Sequence, residues 1–240
     1  MSVSWESLAN DHILGIAPYE PGKPIEELER ELGISDVIKL ASNENPLGPS
    51  PKAVAAMQGA LDALHLYPDG GAVEFKLALA QFHGVPVDHL VVGNGSEEII
   101  ENLGLTILEK GDEIVVAKPS FPRYRTAGEL TDATVVEVPL TADFKHDLVA
   151  MGAAVSSRTK MVWIANPNNP TGTIVSRGEV LALLGSIPSH VWVVLDEAYF
   201  DFAKHDAPYP DSLELLKSGH KNVIGLRTMS KSYGLAGIRI

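Results

Sequence analysis

Lys231 is the residue of this sequence with the most distinctive chemical setting. It follows a short apolar segment, 222–226, that predicts a buried strand, and a second cation, Arg239, lies eight residues further on. Burial and neighbouring cations lower the pKa of a lysine amine, and an amine that has lost its proton can attack an aldehyde. Taken alone, Lys231 is more readily explained as an ordinary lysine in a loop after a strand. Its interpretation therefore depends on which other groups share its surroundings.

Polar groups that could share a site with Lys231 follow three other apolar segments. They are Gly-Asn-Gly-Ser-Glu-Glu at 93–98, Asn-Pro-Asn-Asn-Pro-Thr-Gly at 166–172 and Asp-Glu-Ala-Tyr at 196–199. Backbone N–H groups of a helix that begins near Ser96 suit a phosphate, although a plain serine cap explains the pattern about as well. A buried Asp196 needs a cationic partner, such as a protonated ring nitrogen. The segment 166–172 needs no function, because asparagine and proline are ordinary turn residues.

Composition excludes several classes of protein. A net charge of −12 over 240 residues opposes nonspecific nucleic-acid binding, and the lack of cysteine excludes disulfide scaffolds and cysteine-ligated zinc. The histidines show no metal-site spacing, and neither Gly-x-x-x-x-Gly-Lys nor Gly-x-Ser-x-Gly occurs. Residues 1–10 lack the features of a secretory signal, and no apolar run approaches a membrane span. We therefore expect a cytoplasmic protein with no metal, no nucleic-acid partner and no membrane partner.

The elements that must position these groups alternate along the chain. Strands are predicted at 89–92, 113–117, 135–138, 161–165, 191–195 and 223–226. Helices are predicted to begin at Pro24, Ser50-Pro51, Val73, Ser96, Ser176 and Ser212, and after Phe121. Apolar strands that alternate with amphipathic helices predict an α/β fold, with a mostly parallel sheet and helices on both faces. Since ligands bind beyond the carboxyl ends of such strands, we expect Lys231 and the three polar segments at one rim.

Taken together, these motifs resemble the fold-type-I pyridoxal-phosphate aminotransferases. The segments at 40–51, Leu-Ala-Ser-Asn-Glu-Asn-Pro-Leu-Gly-Pro-Ser-Pro, and at 66–71, Leu-Tyr-Pro-Asp-Gly-Gly, are similar to the histidinol-phosphate aminotransferase family in particular. The resemblance extends over essentially the whole chain. It implies an N-terminal arm and small-domain segment at residues 1–50, followed by the large cofactor-binding domain at residues 51–240. It also implies that the small C-terminal domain is missing and that the large domain is incomplete at its C-terminus.

The resemblance implies that pyridoxal 5'-phosphate is the cofactor and that Lys231, Asp196 and Tyr199 are catalytic. Lys231 would bond the cofactor aldehyde and later move a proton between substrate and cofactor, while Asp196 would pair with the ring nitrogen. Asn169 and Tyr199 would donate hydrogen bonds to the 3-oxygen of the ring. Phe121 would stack on the ring, at a position where relatives often have tyrosine.

The remaining implied contacts concern the phosphate and the substrate. The phosphate would be held by backbone and side-chain donors of five residues, namely Gly95, Ser96, Thr228, Ser230 and Arg239. Tyr67 is expected to reach the phosphate site of a neighbouring subunit and to contact substrate there, so that the site needs a homodimer. Asn43 and its neighbours in the arm would close over the substrate.

The implied reaction exchanges an amino group between histidinol phosphate and 2-oxoglutarate, a step of histidine biosynthesis. One alternative is another enzyme on the same fold, either a decarboxylase of a phosphorylated amino acid or an aromatic aminotransferase. The other alternative is a noncatalytic cofactor-binding fragment. The sequence leaves both open, because the residues that would grip the substrate carboxylate or phosphate are expected beyond Ile240.

Overall fold

The sheet that carries the polar rim has five parallel strands. The computed structural model of the protein describes residues 4–18, 22–206 and 209–240. Its strands are β1 (Glu113–Lys118), β2 (Thr134–Pro139), β3 (Thr159–Ala165), β4 (Trp192–Asp196) and β5 (Val223–Leu226). They lie in the order β2-β1-β3-β4-β5, and each neighbouring pair is parallel. The predicted parallel α/β sheet is therefore confirmed.

Helices connect successive strands and precede the sheet. The α-helices of the described residues are α1 (Asp11–Leu14), α2 (Ile25–Leu32), α3 (Pro51–Ala60), α4 (Val73–His83), α5 (Gly95–Ile107), α6 (Arg123–Glu129), α7 (Leu148–Ala153), α8 (Arg177–Ser186), α9 (Phe200–Ala203) and α10 (Ser212–Lys217). Short 3-10 helices are found at Trp5–Leu8, Leu61–Ala63, Val87–His89 and Ala236–Ile238.

Alternating side chains of the strands divide the core into two halves. Val162 of β3 belongs to one buried cluster with Leu183 of α8, and its neighbour Trp163 belongs to the other cluster with Ile100 of α5. This division follows from strand geometry, because successive side chains point to opposite faces of a sheet. Helices α7, α8 and α10 cover the first face and α5 and α6 cover the second, as the sequence predicted.

Local sequence signals set several helix boundaries. Ser176 Oγ accepts a hydrogen bond from the Glu179 N–H at 3.3 Å, and the Glu179 carboxylate accepts one from the Ser176 N–H at 2.7 Å, which completes a capping box. Ser50 caps α3 in the predicted place, and Gly33 ends α2 with a φ of 64° that favours glycine. Pro24 is the N-cap of α2, which begins at Ile25, one residue after the predicted start at Pro24.

The strand predicted at 89–92 is wrong. Val87–His89 forms a 3-10 helix, and none of the described strands pairs with the residues that follow it. An apolar run becomes a strand only when a neighbouring strand satisfies its backbone N–H and C=O groups. Ser96 was also predicted to cap the next helix, whereas α5 begins at Gly95 with Asn94 as its N-cap.

The segment before the sheet reaches the loop that contains Lys231. Asn45 Nδ2 donates a hydrogen bond to the Ser232 carbonyl oxygen at 2.9 Å. Gly234 has a φ of 66°, and a Cβ atom there would clash with the carbonyl oxygen of Gly48. The close approach of these two backbones therefore requires glycine at position 234.

Candidate functional site

A cleft opens at the carboxyl ends of β3, β4 and β5, beside the N-terminus of α5. Its empty volume, including the open mouth, is about 610 Å³. The cleft is lined by Gly95, Ser96, Glu97, Phe121, Tyr124, Ala165, Pro167, Asn169, Asp196, Ala198, Tyr199, Thr228, Ser230, Lys231 and Arg239. The structure thus brings Lys231 together with all three polar segments, because parallel strands end at a common rim.

Asp196 presents a buried carboxylate to this cleft. Its side chain is the last of β4, and the residue is only 5% exposed. Tyr124 Oη donates a hydrogen bond to Oδ2 at 2.6 Å, and the Ala198 N–H donates one to Oδ1 at 3.0 Å. Burial raises the pKa of Asp196, whereas these two bonds and the nearby Lys231 act in the opposite direction. Both hydrogen-bond donors are neutral, so a cationic ligand would stabilise the ionised carboxylate.

Lys231 faces the same cleft from the loop after β5. Burial lowers the pKa of its amine, Asp196 and Glu44 oppose that shift, and Arg239 reinforces it. Nζ lies 5.7 Å from the centre of the Tyr199 ring and 3.5 Å from the carbonyl oxygen of Ser42. The surroundings therefore favour the neutral, nucleophilic amine more than bulk water does.

The N-terminus of α5 provides an anion cradle at another wall of the cleft. Gly95 is buried with a φ of 72°, and a Cβ atom there would lie 2.9 Å from Arg239 Nη2. Arg239 Nη2 in turn donates to the Asn94 carbonyl oxygen at 3.4 Å. The helix dipole and a guanidinium group thus act together, and each favours a negatively charged ligand. The Gly95 N–H itself donates to the Gly93 carbonyl oxygen at 2.8 Å.

Two hydroxyl groups extend this cradle. Thr228 Oγ1 and Ser230 Oγ are 3.0 Å apart, and the Ser230 N–H donates to Thr228 Oγ1 at 3.1 Å. Thr228 Oγ1 also donates to the carbonyl oxygen of Ile240 at 2.9 Å. Both hydroxyls line the cleft with Arg239, so they add hydrogen-bonding groups of the kind that a phosphate requires.

Asn43, in the segment before α3, contacts a residue of the cleft directly. Its Nδ2 donates a hydrogen bond to Tyr199 Oη at 2.8 Å, although the two residues are far apart in sequence. Asn43 and Ser42 adopt φ values of 51° and 68°, in the left-handed region that asparagine tolerates better than most residues. This turn places Ser42 and Asn43 beside Lys231 and Tyr199.

The asparagine-rich loop has two buried members and one that faces the cleft. Asn166 Oδ1 accepts a hydrogen bond from the Val175 N–H at 2.9 Å. Asn168 Oδ1 accepts from Ser120 Oγ at 2.9 Å and lies 3.0 Å from His146 Nε2. Since Asn166 and Asn168 use their side chains to support the loop, only Asn169 among the three offers its amide to a ligand.

Phe121 and Tyr67 differ in their relation to the cleft. Phe121 is half-buried in the cleft wall, and its ring meets Tyr124 edge to face with centroids 5.6 Å apart. Tyr67 is fully exposed and does not line the cleft. Its predicted contact with a neighbouring subunit stays a prediction.

The cleft lining includes five residues to which the sequence analysis gave no role, namely Glu97, Tyr124, Ala165, Pro167 and Ala198. Tyr124 holds Asp196 by a buried hydrogen bond and stacks on Trp163 at 4.9 Å. Tyr124 lies in the first turn of α6, the helix predicted after Phe121, but no sequence pattern linked its hydroxyl group to Asp196. Glu97 lines the mouth, where its carboxylate pairs with Arg123 Nε at 2.7 Å, and no sequence pattern indicated this pair.

Over residues 4–18, 22–206 and 209–240, no three metal-binding side chains lie close enough to hold an ion. Within the same ranges, no helix combines the length and the apolar composition needed to cross a membrane.

The class of protein follows from the fold, the rim and a comparison with protein families. The family model for class I and II aminotransferases matches residues 35–240, which include the five described strands and the residues that line the cleft. The chain belongs to this family.

Individual relatives of this chain are described as histidinol-phosphate aminotransferases. A histidinol-phosphate aminotransferase of Moorella thermoacetica is 54% identical over 230 residues, which are 95% of this chain and 58% of the relative. One of Akkermansia muciniphila is 48% identical over 240 residues, which are 99% of this chain and 65% of the relative. This chain therefore spans less than two thirds of the length of these relatives.

Solved structures agree in fold. The crystal structure of histidinol-phosphate aminotransferase from Sinorhizobium meliloti in complex with pyridoxal-5'-phosphate superimposes with a TM-score of 0.85 at 30% identity. The match covers 97% of this chain and 61% of that chain. The structure of L-threonine-O-3-phosphate decarboxylase from Porphyromonas gingivalis matches with a TM-score of 0.66 at 26% identity, over 80% of this chain and 57% of that one.

Proposed function

We propose that this chain binds pyridoxal 5'-phosphate and carries the cofactor-binding part of a histidinol-phosphate aminotransferase, which exchanges an amino group with 2-oxoglutarate. The relatives of Moorella thermoacetica and Akkermansia muciniphila support the substrate, and the cofactor named for the Sinorhizobium meliloti structure supports the cofactor. The observation that carries the proposal is the buried Asp196 carboxylate in one cleft with the half-buried Lys231 amine.

The residues of the cleft fit this cofactor. A protonated ring nitrogen is the kind of cation that the buried Asp196 needs, since its described hydrogen-bond donors are neutral. The attraction between a carboxylate and a cation about 4 Å apart is about 4 kcal/mol at an effective dielectric constant of 20. At the other wall, a Cβ atom at position 95 would occupy space beside Arg239, so glycine there leaves the helix N-terminus accessible to a phosphate.

Specific contacts follow from this arrangement. The phosphate would be held by the α5 N-terminus and the hydroxyl and guanidinium groups beside it, contributed by Gly95, Ser96, Thr228, Ser230 and Arg239. Phe121 would cover the ring. Asn169 and Tyr199 would donate hydrogen bonds to its 3-oxygen, and Asn43 positions Tyr199 through their bond at 2.8 Å.

When bound, the cofactor supplies an aldehyde that accepts the amino group and an electron-withdrawing ring. Lys231 would hold the aldehyde carbon covalently and, once displaced by an amino donor, would act as the general base at its Nζ. Its lowered pKa serves both roles, because only the neutral amine is a nucleophile or a base. Asp196 would keep the ring nitrogen protonated.

The assembly and location of the protein belong to the same proposal. We propose a cytoplasmic homodimer in which Tyr67, fully exposed on each chain, reaches the phosphate and the substrate of the partner site. We also propose a division into an arm with a small-domain segment at residues 1–50 and a large domain at 51–240. The hydrogen bond from Asn45 to Ser232 supports a role for the arm in completing the cleft.

Borohydride reduction followed by peptide mapping tests the proposal. We expect a reduced pyridoxyl adduct on Lys231 and its loss in Lys231→Ala. The exposed Lys221 on the same segment serves as the control, and Lys221→Ala should leave the adduct unchanged. An adduct on another residue, or none on the folded protein supplied with cofactor, would contradict the proposed mechanism.

A second candidate is decarboxylation of a phosphorylated amino acid, favoured by the fold match to the Porphyromonas gingivalis decarboxylase. The two activities differ in their products. Mixing the loaded protein with histidinol phosphate and 2-oxoglutarate should yield glutamate if the transferase is correct. Release of carbon dioxide from O-phosphothreonine, without glutamate formation, would favour the decarboxylase. An adduct on Lys231 without either product would favour a noncatalytic cofactor-binding fragment.

A further inference from the structure

A second polar cluster lies on the opposite face of the sheet from the cleft. We call it the rear cluster, and it consists of Glu197, Phe200, Asp211, Ser212 and Arg227. Asp196 bonds to Tyr124 on the face covered by α5 and α6, whereas the next residue, Glu197, bonds to Ser212 on α10. Successive residues at the end of β4 thus project to opposite faces.

Both carboxylate oxygens of Glu197 accept hydrogen bonds within the rear cluster. Its carboxylate accepts hydrogen bonds from the Ser212 N–H at 2.9 Å, from Ser212 Oγ at 2.6 Å and from Arg227 Nε at 3.0 Å. Arg227 Nη2 also donates to Asp211 Oδ1 at 2.8 Å, and the guanidinium lies 3.6 Å from the centre of the Phe200 ring. One planar guanidinium therefore contacts a buried acid, a half-exposed acid and an aromatic face, a combination that lysine does not reproduce.

Burial makes the pairing necessary. Glu197 is 1% exposed. Burial raises the pKa of this carboxyl group, and Arg227 and Ser212 act against that shift. A buried carboxylate without its cation is strongly unfavourable, so Arg227 is held where it can meet Glu197.

Three members of the rear cluster are sequence neighbours of residues that line the cleft. Glu197 follows Asp196, Phe200 follows Tyr199, and Arg227 precedes Thr228. The Glu197 N–H also donates to the Leu226 carbonyl oxygen at 2.8 Å, which continues the β4–β5 ladder to this level. A displacement of the backbone at these positions would therefore also move the neighbouring cleft residues.

We infer that Arg227 and Glu197 are positioning residues, which set the separation between Asp196 at the end of β4 and Thr228 after β5. The inference rests on the proposed binding of a pyridoxal-type cofactor. Such a ligand has two ends, with a ring nitrogen at Asp196 and a phosphate at Thr228 and the α5 N-terminus. A ligand that spans both ends depends on their separation, whereas one without the phosphate depends mainly on the Asp196 end.

The test compares pyridoxamine 5'-phosphate with pyridoxamine. Neither has an aldehyde, so binding involves no bond to Lys231, and quenching of tryptophan fluorescence gives both Kd values. In Arg227→Lys we expect the ratio of the Kd for pyridoxamine to the Kd for pyridoxamine 5'-phosphate to fall about tenfold, equivalent to about 1.4 kcal/mol. A general loosening of the fold would weaken both ligands equally, and so would leave the ratio unchanged.

A second variant makes a smaller change to the rear cluster than Arg227→Lys does. Asp211→Asn keeps an N-cap residue for α10, because asparagine caps helices as well as aspartate. It removes only the negative charge of the ion pair with Arg227, in which the side chains of Asp211 and Arg227 are 30% and 24% exposed. We expect the ratio of the two Kd values to fall about two- to fivefold, in line with pairs of this kind. This variant decides the question if Arg227→Lys does not fold.

The matched control is the pair of Glu113 and Arg158 at the amino end of β1. Glu113 is also buried, at 5% exposure, and accepts hydrogen bonds from Ser156 and Arg158. Arg158→Lys makes the same chemical change at the far end of the sheet, and we expect it to leave the ratio of Kd values unchanged.

The outcomes separate this inference from the proposed function. If the unaltered protein binds pyridoxamine 5'-phosphate and either folded Arg227→Lys or Asp211→Asn lowers the ratio while Arg158→Lys does not, the inference is supported. If the unaltered protein binds but the ratio is unchanged in every folded rear-cluster variant, or falls equally in the control, the inference is overturned and the proposed function stands. If the unaltered protein binds neither ligand, both are overturned.

Discussion

Tyr124→Phe tests how the protein holds a buried carboxylate in the cleft. The substitution removes one oxygen atom from a ring that is 1% exposed, and it leaves the stacking of that ring on Trp163 in place. The lost atom is the donor of the 2.6 Å hydrogen bond to Asp196 Oδ2. In the variant, Asp196 keeps only the Ala198 N–H among the two donors described for it.

The expected cost follows from the charge of the acceptor. A hydrogen bond to an ionised group contributes about 1.5–3 kcal/mol, whereas one between neutral groups contributes about 1 kcal/mol. We therefore expect the free energy of unfolding of the cofactor-free protein to fall by about 1.5–3 kcal/mol where Asp196 is ionised. The fall should shrink to about 1 kcal/mol at acid pH, where Asp196 is protonated in both proteins.

The sign of the pH dependence comes from the pKa of Asp196. Burial raises this pKa and the Tyr124 bond lowers it, so Tyr124→Phe raises it further. An acid whose pKa is raised by folding stabilises the protein most below its unfolded pKa, and that contribution is lost as pH rises through the folded pKa. The difference in unfolding free energy between the two proteins must therefore grow as pH rises.

Urea unfolding at a series of pH values measures this difference directly. Tyr209→Phe is the matched control, because Tyr209 Oη donates to the neutral carbonyl oxygen of Asn166. Its cost should be about 1 kcal/mol and should not change with the ionisation of Asp196. A cost for Tyr124→Phe that is the same at every pH would refute the reasoning, since Asp196 would then not be the ionising partner.

Three other perturbations have defined outcomes. Gly95→Ala places a Cβ atom at a φ of 72° and 2.9 Å from Arg239, so urea unfolding should show a loss of about 1–2 kcal/mol and phosphate ligands should bind more weakly. Gly111→Ala, at a φ of 94° with open space around it, should show only the loss of stability. Burial lowers the pKa of His146, so the unfolding free energy should decline as pH falls below about 6.5, and His146→Gln should remove that part of the decline. Ser176→Ala removes the α8 capping box and should lower the midpoint of thermal unfolding, with a cost of about 1 kcal/mol.

Most of the fold could be predicted from local sequence patterns. The helix expected near 73–83 is α4, the strand at 223–226 is β5, and the capping box at Ser176 begins α8. These elements carry their own signals, in the form of an apolar period, a glycine or a serine at a boundary. The segment 89–92 has an equally apolar pattern and is not a strand. A strand also needs a neighbouring strand to pair with, and the sequence of one segment does not show whether that neighbour is present.

The sequence by itself determined the α/β class, the parallel sheet and the grouping of Lys231 with Asp196, because apolar strands that alternate with helices place every strand end on one rim. Only the tertiary structure decided that Tyr124 donates to Asp196, that Asn43 donates to Tyr199, and that Glu197 meets Arg227 behind the cleft. These pairs are separated by 72, 156 and 30 positions. Local patterns report the backbone conformation of a segment, whereas the distance between remote side chains depends on how all the elements pack together.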